Sequence, residues 1–557
     1  MYKHYFFKKI VVCSIIFLFF GVNCVTTMSN LINDELNFNL EINKKFLESI
    51  LHIEIQRPIF ERPPGIEWIK TFGGESFNDE AYDVKLTKDG GFIIAGMTRT
   101  YSSDYYEAGW LIKTDSNGAE EWNHTYGEPG ALNIDTARSV QQTSDDGYVF
   151  TGSTFSYNID NDLKVWLVKT DANGSEEFNK VYGGNRGFSV QQTKDGGYII
   201  CGDGPLLEGL LLKTDNNGNE SWRKLFWGYP GNKASGFSVN ETIDGGFVFT
   251  GSLFYVDEDI EPDIFMIKTD RNGTEEVNVT FGGKNIYARG QSVCQTSDGG
   301  YIILGYTLLK EPYDGAYAWL IKTDINGNEV WNKTFGEKDY DYLGEDVLQC
   351  DDGGYIIAGS CKFKYGEDSS WLIKTDSFGN KTWQITIQAT EQYEKMMYSV
   401  DKTVDGGYIL SGEIFNGLGD ALLVKIASSD APYNPEIDGP SKGIPDKDYN
   451  YTFVTSDPND EQLYYWIEWG DGSKTGWLGP FDSGVEITES HVWNKRGFYI
   501  IKAKAKNTNG LESGFSELEI NIPRNRKSID NLFLRFLEKH PQLFPILKQL
   551  LGLQLDI

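Results

Sequence analysis

The chain has 557 residues, 61 of them glycine, with aromatic residues at 14% and charged residues at 24%. That length exceeds what one compact core can organise, and the ordinary apolar content excludes wholesale disorder. The balance of 51 basic against 81 acidic residues gives a net charge of −30. With no long basic stretch to offset it, this excludes a nucleic-acid partner held through its phosphates.

Lys3, Lys8 and Lys9 precede an apolar run from Ile10 to Val22, and the polar stretch Asn23 to Asn30 follows. A basic flank before an apolar run too short to span a bilayer reads as export machinery. Residues 1–27 are expected to form a secretory signal or N-terminal anchor, which places the protein outside the cell or on its surface. Residues 28–65 read as a helical stalk or linker.

Self-comparison then finds a repeat. Asp-Gly-Gly-aromatic, an apolar run and a further Gly recur with the Asp at 89, 145, 195, 244, 298, 352 and 405; only the second copy departs, with Asp146 for the first Gly. Lys-Thr-Asp follows in the first six copies, at Lys113, Lys169, Lys213, Lys268, Lys322 and Lys374. It continues as Asp-x-Asn-Gly in five of them, and Phe378 replaces the Asn in the sixth. Trp122, Trp222, Trp331 and Trp383 share one place after that turn, with Phe178 and Val277 in the other copies.

Each copy resolves into four strands joined by hairpins, because Asp-x-Asn-Gly and Asp-Gly-Gly supply residues with φ > 0. Four antiparallel strands repeated seven times predict an all-β, seven-bladed β-propeller over 66–430. The seventh copy lacks its outer strand, and an orphan strand, Glu67 to Gly74, precedes the first. The N-terminal strand is therefore expected to close the ring beside Leu422 to Ile426, removing the open edges. On these repeats the chain resembles the secreted β-propeller repeat proteins of archaea and bacteria, and its likeness to quinoprotein dehydrogenase repeats is structural.

Residues 432–523 alternate as strands. Trp466-Ile467-Glu468-Trp469-Gly470-Asp471-Gly472, His491-Val492-Trp493 and Gly497-Phe498-Tyr499-Ile500 resemble a PKD domain, an Ig-like β-sandwich. The resemblance implies a spacer or adhesion module of a surface protein. Residues 524–557 show helical spacing broken by Pro541 and Pro545, a short amphipathic tail that packs on protein or touches a membrane interface.

The chemistry-bearing residues are sparse. There are five His, with no His-Glu-x-x-His pair, nucleophile elbow or paired-Cys zinc pattern, which argues against a His triad or zinc enzyme. Cys201, Cys294, Cys350 and Cys361 read as buried free thiols, one disulfide being the alternative. The Asp-x-Asn-Gly turns read as backbone caps rather than calcium loops.

The first-to-second and third-to-fourth turns share one face; the remaining connections, on the other, are long, variable and rich in Tyr and acid, which makes them the candidate ligand-binding face. The candidate ligand-binding residues are Tyr101, Tyr105, Tyr106, Tyr157, Tyr255, Tyr313, Tyr340, Tyr342 and Tyr365. Asp257, Asp259 and Asp263 are the candidate Ca²⁺ ligands, the sole cofactor the sequence offers. Asn123, Asn173, Asn272, Asn332, Asn380 and Asn450 are candidate glycosylation sites. The first reading is a secreted or cell-surface binding and adhesion protein for a glycan or a surface protein. The second is an extracellular carbohydrate-active enzyme using paired carboxylates. A structural envelope component is third.

Overall fold

The computed structural model describes residues 63–74, 77–102, 106–127, 134–157, 162–226, 232–255, 260–283, 286–309, 315–363, 368–387, 394–415, 419–428, 430–523 and 539. The signal, nearly all of the stalk and nearly all of the tail lie outside them. Within residues 66–426 the chain forms seven four-stranded antiparallel sheets. Six are built from consecutive strands, over 79–126, 136–182, 186–226, 233–281, 286–335 and 340–387. The seventh takes three strands from 394–426, and its fourth is Ile66–Phe72, which pairs antiparallel with Gly419–Ile426 from Ile66↔Ile426 to Phe72↔Ala421.

Charge and turn chemistry explain the repeat. In the first sheet Asp89 Oδ1 accepts from the Thr87 hydroxyl at 2.5 Å and from Gly91 N–H at 3.0 Å. Lys113 is buried with its ammonium between Asp89, at 2.9 Å, and Glu121, at 3.0 Å, and it donates to Thr114 O at 2.9 Å. The same triad recurs as Lys169 with Asp145 and Glu177 and as Lys268 with Asp244 and Glu276. A buried ammonium is tolerated because several oxygens satisfy it.

The two glycines of the motif have separate reasons. Gly90 adopts φ +84°, whereas a Cβ on Gly91 would stand 2.1 Å from Thr114 O. At the other hairpin the Asp115 carboxylate caps Asn117 and Ala119 N–H, both at 2.8 Å, and Gly118 has φ +72°. The copies at Asp171, Asp215, Asp270, Asp324 and Asp376 repeat this cap, so the carboxylates serve the backbone turn.

The apolar cores lie between neighbouring sheets. Ile93, Ala95 and Leu111 of the first sheet pack with Ala137, Val140, Phe150 and Trp166 of the second. Ala81, Val84, Phe92 and Ile112 of the first pack equally with Ile409, Ala421 and Leu423 of the seventh. Outer-strand aromatics staple six of the seven sheets to the next: Trp122 meets Tyr148 at 5.7 Å, Trp331 meets Tyr355 at 5.9 Å, and Trp68 meets Phe92 at 6.1 Å. Each buried aromatic contributes roughly 1.5–3 kcal/mol.

Residues 436–522 form a three-stranded and a four-stranded antiparallel sheet around a shared core. The motif residues meet there. His491 stacks on Trp469 at 4.7 Å and its Nε2 donates to Asp471 Oδ2 at 2.9 Å, while Trp493 Nε1 donates to Trp469 O at 3.1 Å. The four cysteines 201, 294, 350 and 361 are unpaired, and burial raises the thiol pKa of each.

Candidate functional site

The first strand of each sheet carries a β-bulge at the same place. The register against the second strand breaks between Ala81 and Asp83, Ala137 and Ser139, Gly187 and Ser189, and Gly236 and Ser238. It breaks again between Gly290 and Ser292, Gly344 and Asp346, and Met397 and Ser399. The cause is opposite, on the second strand. A Cβ on Gly96 would lie 1.9 Å from Glu80 O, and one on Gly152 would lie 1.8 Å from Thr136 O. The glycine closing the apolar run of every repeat lets the bulged strand approach.

A bulge re-aims the extra residue. Here the seven extra residues are Tyr82, Arg138, Phe188, Phe237, Gln291, Glu345 and Tyr398, and all seven line one cavity of about 250 Å³. Beneath them lies a near-uniform belt, in which a Ser or Asp of one sheet accepts from a Val N–H of the next. Asp83 Oδ2 accepts from Val140 at 3.0 Å, Ser139 Oγ from Val190 at 3.3 Å, and Ser189 Oγ from Val239 at 3.4 Å. Ser238 accepts from Val293, Ser292 from Val347, and Asp346 from Val400. Ser399 Oγ then donates to Asp83 Oδ1 at 2.8 Å.

The electrostatics of the cavity are uneven. Burial opposes the charge of Lys85, but Asp83, Asp346 and Asp401 outweigh it and hold the ammonium above its usual range. Its Nζ donates to Asp83 Oδ1 at 2.7 Å. Burial pushes the Glu345 carboxyl up to about 7, although Gln291 Nε2 donates to it at 2.8 Å. Burial likewise raises Asp346 despite Lys85 nearby. The Arg138 guanidinium lies 4.4 Å from the centre of the Tyr82 ring and 5.6 Å from that of Phe188. Its Nε is buried without a hydrogen-bond partner among the described residues.

Of the tyrosines singled out from the sequence, none of the described ones lines this cavity. Tyr101 packs on Trp110 at 5.4 Å, Tyr157 on Trp166 at 6.0 Å, and Tyr342 on Trp371 at 6.1 Å. Tyr106 is 38% exposed and Tyr340 is half-buried. Tyr105, Tyr313 and Tyr365 lie outside the described residues, as do Asp257 and Asp259. The Asp263 carboxylate accepts from Tyr255 OH at 2.6 Å and from Gly283 N–H at 2.9 Å. Among the described residues no group of three or more His, Cys, Asp or Glu is placed to hold a metal ion. Asn173, Asn272, Asn332, Asn380 and Asn450 are exposed, whereas Asn123 is half-buried with its Oδ1 accepting from Trp110 Nε1 at 3.3 Å.

No protein-family model matches the chain, and no curated protein matches it. Among solved structures, 17% of this chain is similar to the PKD domain of an M14-like peptidase from Thermoplasmatales archaeon SCGC AB-540-F20. The identity is 46% over 98% of that domain's chain, with a TM-score of 0.17.

Proposed function

We propose that the seven sheets are the blades of a closed β-propeller, and that the protein is a secreted or cell-surface binding protein whose ligand, a glycan or a surface protein, is read at the axial cavity. Closure is supported by the belt returning from Ser399 to Asp83 and by the Trp68–Phe92 contact between the seventh and first sheets. The 432–523 module, with its Trp469–His491–Asp471 cluster, serves as a spacer of the PKD kind. The lysine-rich start of the chain is the export address.

One observation carries the binding reading: side chains of five kinds, at seven equivalent bulges, converge on one cavity above a near-uniform belt. Variable groups on a repeated scaffold are how binding surfaces are built. The carbohydrate-active enzyme is the second reading, favoured by a half-buried Glu345 with its carboxyl at about 7 in the same cavity, as a general acid requires. The test is a glycan-array and polysaccharide pull-down of the full chain, followed by a sugar-release assay on every hit. Retention without release supports a binding protein, release promotes the enzyme, and no retention redirects the search to a protein partner or a structural role.

A further inference from the structure

The cavity is bipolar. On one side Arg138 is clasped by the rings of Tyr82 and Phe188, and its Nε has no partner among the described residues. Glu80 and Asp203 feel its charge, but burial holds both carboxyls above their usual range. In a ring of seven sheets the second faces the gap between the fifth and sixth. Arg138 therefore looks across the axis at Gln291 and Glu345, which are joined to one another at 2.8 Å. Between them on one flank stand Phe188 and Phe237, with ring centres 4.9 Å apart. Tyr398, whose hydroxyl donates to Glu413 at 2.7 Å, stands on the other.

Each wall selects a different part of a ligand. A guanidinium fork held between two aromatic faces is pre-organised for a planar anion with two oxygens, a carboxylate above all. An amide beside a carboxyl offers donors and acceptors to hydroxyl groups. Aromatic faces cover the C–H side of a saturated ring. The volume of about 250 Å³ sits below the roughly 300–1,000 Å³ of drug-sized sites, which limits the occupant to about one ring.

We infer that the axial cavity is a recognition pocket for a single hexuronate residue, with Arg138 as the anchor for its carboxylate, Gln291 and Glu345 as partners for its hydroxyls, and Phe188 and Phe237 against its ring. This rests on the closed-ring binding reading above and adds the ligand class to it. The same chemistry is offered by a free uronic acid and by the terminal residue of an acidic polysaccharide. Both insert one ring carrying one carboxylate.

The test is calorimetric titration of the full chain with glucuronate, glucuronic acid methyl ester and glucose, with a galacturonate oligomer as the polymer arm. The ester removes the charge while keeping the ring, so the protein itself is unaltered. Glucuronate is expected to bind at least about tenfold more tightly than the ester or glucose, the size of one charge-assisted pair. Arg138→Gln should bring glucuronate down to the glucose level with an unchanged melting temperature, and Arg138→Lys should fall between. An oligomer bound with the same Arg138 dependence marks a chain end as the source, and glucuronate alone marks the free acid. Equal binding of glucuronate and glucose, or no effect of Arg138→Gln, overturns the uronate assignment while leaving a sugar-binding protein in place. Binding of no sugar here or on the array overturns both.

Discussion

Lys425 and Glu67 stand 358 positions apart in the chain and share an ion pair in which Asp405 is the third member. This is the triad that Lys113, Asp89 and Glu121 make within one continuous sheet. The first strand therefore supplies the seventh sheet with its missing carboxylate as well as its missing backbone partner. Burial raises the Glu67 pKa even against Lys425, and Lys425 is raised in turn because the two carboxylates outweigh its burial. Glu67→Ala should destabilise the protein by about 1–3 kcal/mol, the cost of leaving a buried charge partly satisfied. Deleting residues 66–72 should cost much more and promote aggregation, since Gly419–Ile426 becomes an open edge. Urea unfolding and light scattering of the two variants read both effects, and a deletion variant that melts like the parent sinks the idea.

The paired glycines of the repeat should respond unequally to alanine. At Gly91 a Cβ would stand 2.1 Å from Thr114 O and 2.8 Å from the Lys113 ammonium, so Gly91→Ala must push a strand end and an ion pair apart. At Gly90 the nearest atom is 3.8 Å away, and the cost is confined to the positive φ, about 1–2 kcal/mol. Asp146 occupies the corresponding position at φ +68° and pairs with Lys88 at the surface. Asp146→Gly should therefore gain about 1 kcal/mol, because an exposed ion pair contributes little. Thermal melts of the three variants should rank Asp146→Gly above the parent, then Gly90→Ala, then Gly91→Ala.

Much of this was legible in the sequence because sameness was the signal. The turn glycines, the Lys-Thr-Asp run and an outer strand like the orphan one around Trp68 recur from copy to copy, and each does the same job wherever it recurs. The bulged residues escaped for the opposite reason. Tyr82, Arg138, Phe188, Phe237, Gln291, Glu345 and Tyr398 share a position but span five residue types, and a repeat is recognised by what stays the same. The available clue was the repeated glycine at 96, 152, 202, 251, 305, 359 and 412, noted in the sequence only as part of the repeat and explained by the close approach that makes room for a bulge. The loop tyrosines were conspicuous by composition. Tyr101, Tyr157 and Tyr342 pack against tryptophans, a use that composition does not reveal.

Acid should unfold the repeat array through its turn aspartates. Burial opposes the Asp89 charge, but bonds from Thr87, Lys113 and Gly91 outweigh it and bring the carboxyl down to about 2, and Asp244 is lowered to about 2 in the same way. Asp145, Asp195, Asp298 and Asp405 shift in the same direction. A folded pKa below the unfolded value of 3.8 means that the stabilisation is complete above that value. It is lost as pH falls through about 2. The contribution of these aspartates, read by urea titration, should stay level down to about pH 4 and then decline steeply. Thr87→Val together with Thr242→Val, which removes one bond from each of the two lowest carboxyls, should move the decline to higher pH. A pair of variants with an unchanged acid limb would remove these carboxylates from the account.

Ligand affinity in the axial cavity should depend on Glu345. Burial sets its carboxyl at about 7, and the groups that face it are Gln291, which bonds to it, Lys362 and Arg289, which favour its charge, and Asp346, which opposes it. Below that value Glu345 is neutral and offers an O–H to a ligand oxygen. Above it a second negative charge shares the cavity with the carboxylate that Arg138 anchors. Uronate affinity should therefore be highest near pH 6 and fall as pH rises through about 7 to 8, by several-fold across that range. Glu345→Gln keeps the shape and a donor but has no proton to lose, so its affinity should match the low-pH level and stay flat. Arg289 is held above its usual range, far from this window, and a step that Glu345→Gln abolishes belongs to Glu345. A pH profile of glucuronate binding that persists unchanged in Glu345→Gln would place the titrating group elsewhere, and one that rises with pH would reverse the charge assigned to the ligand.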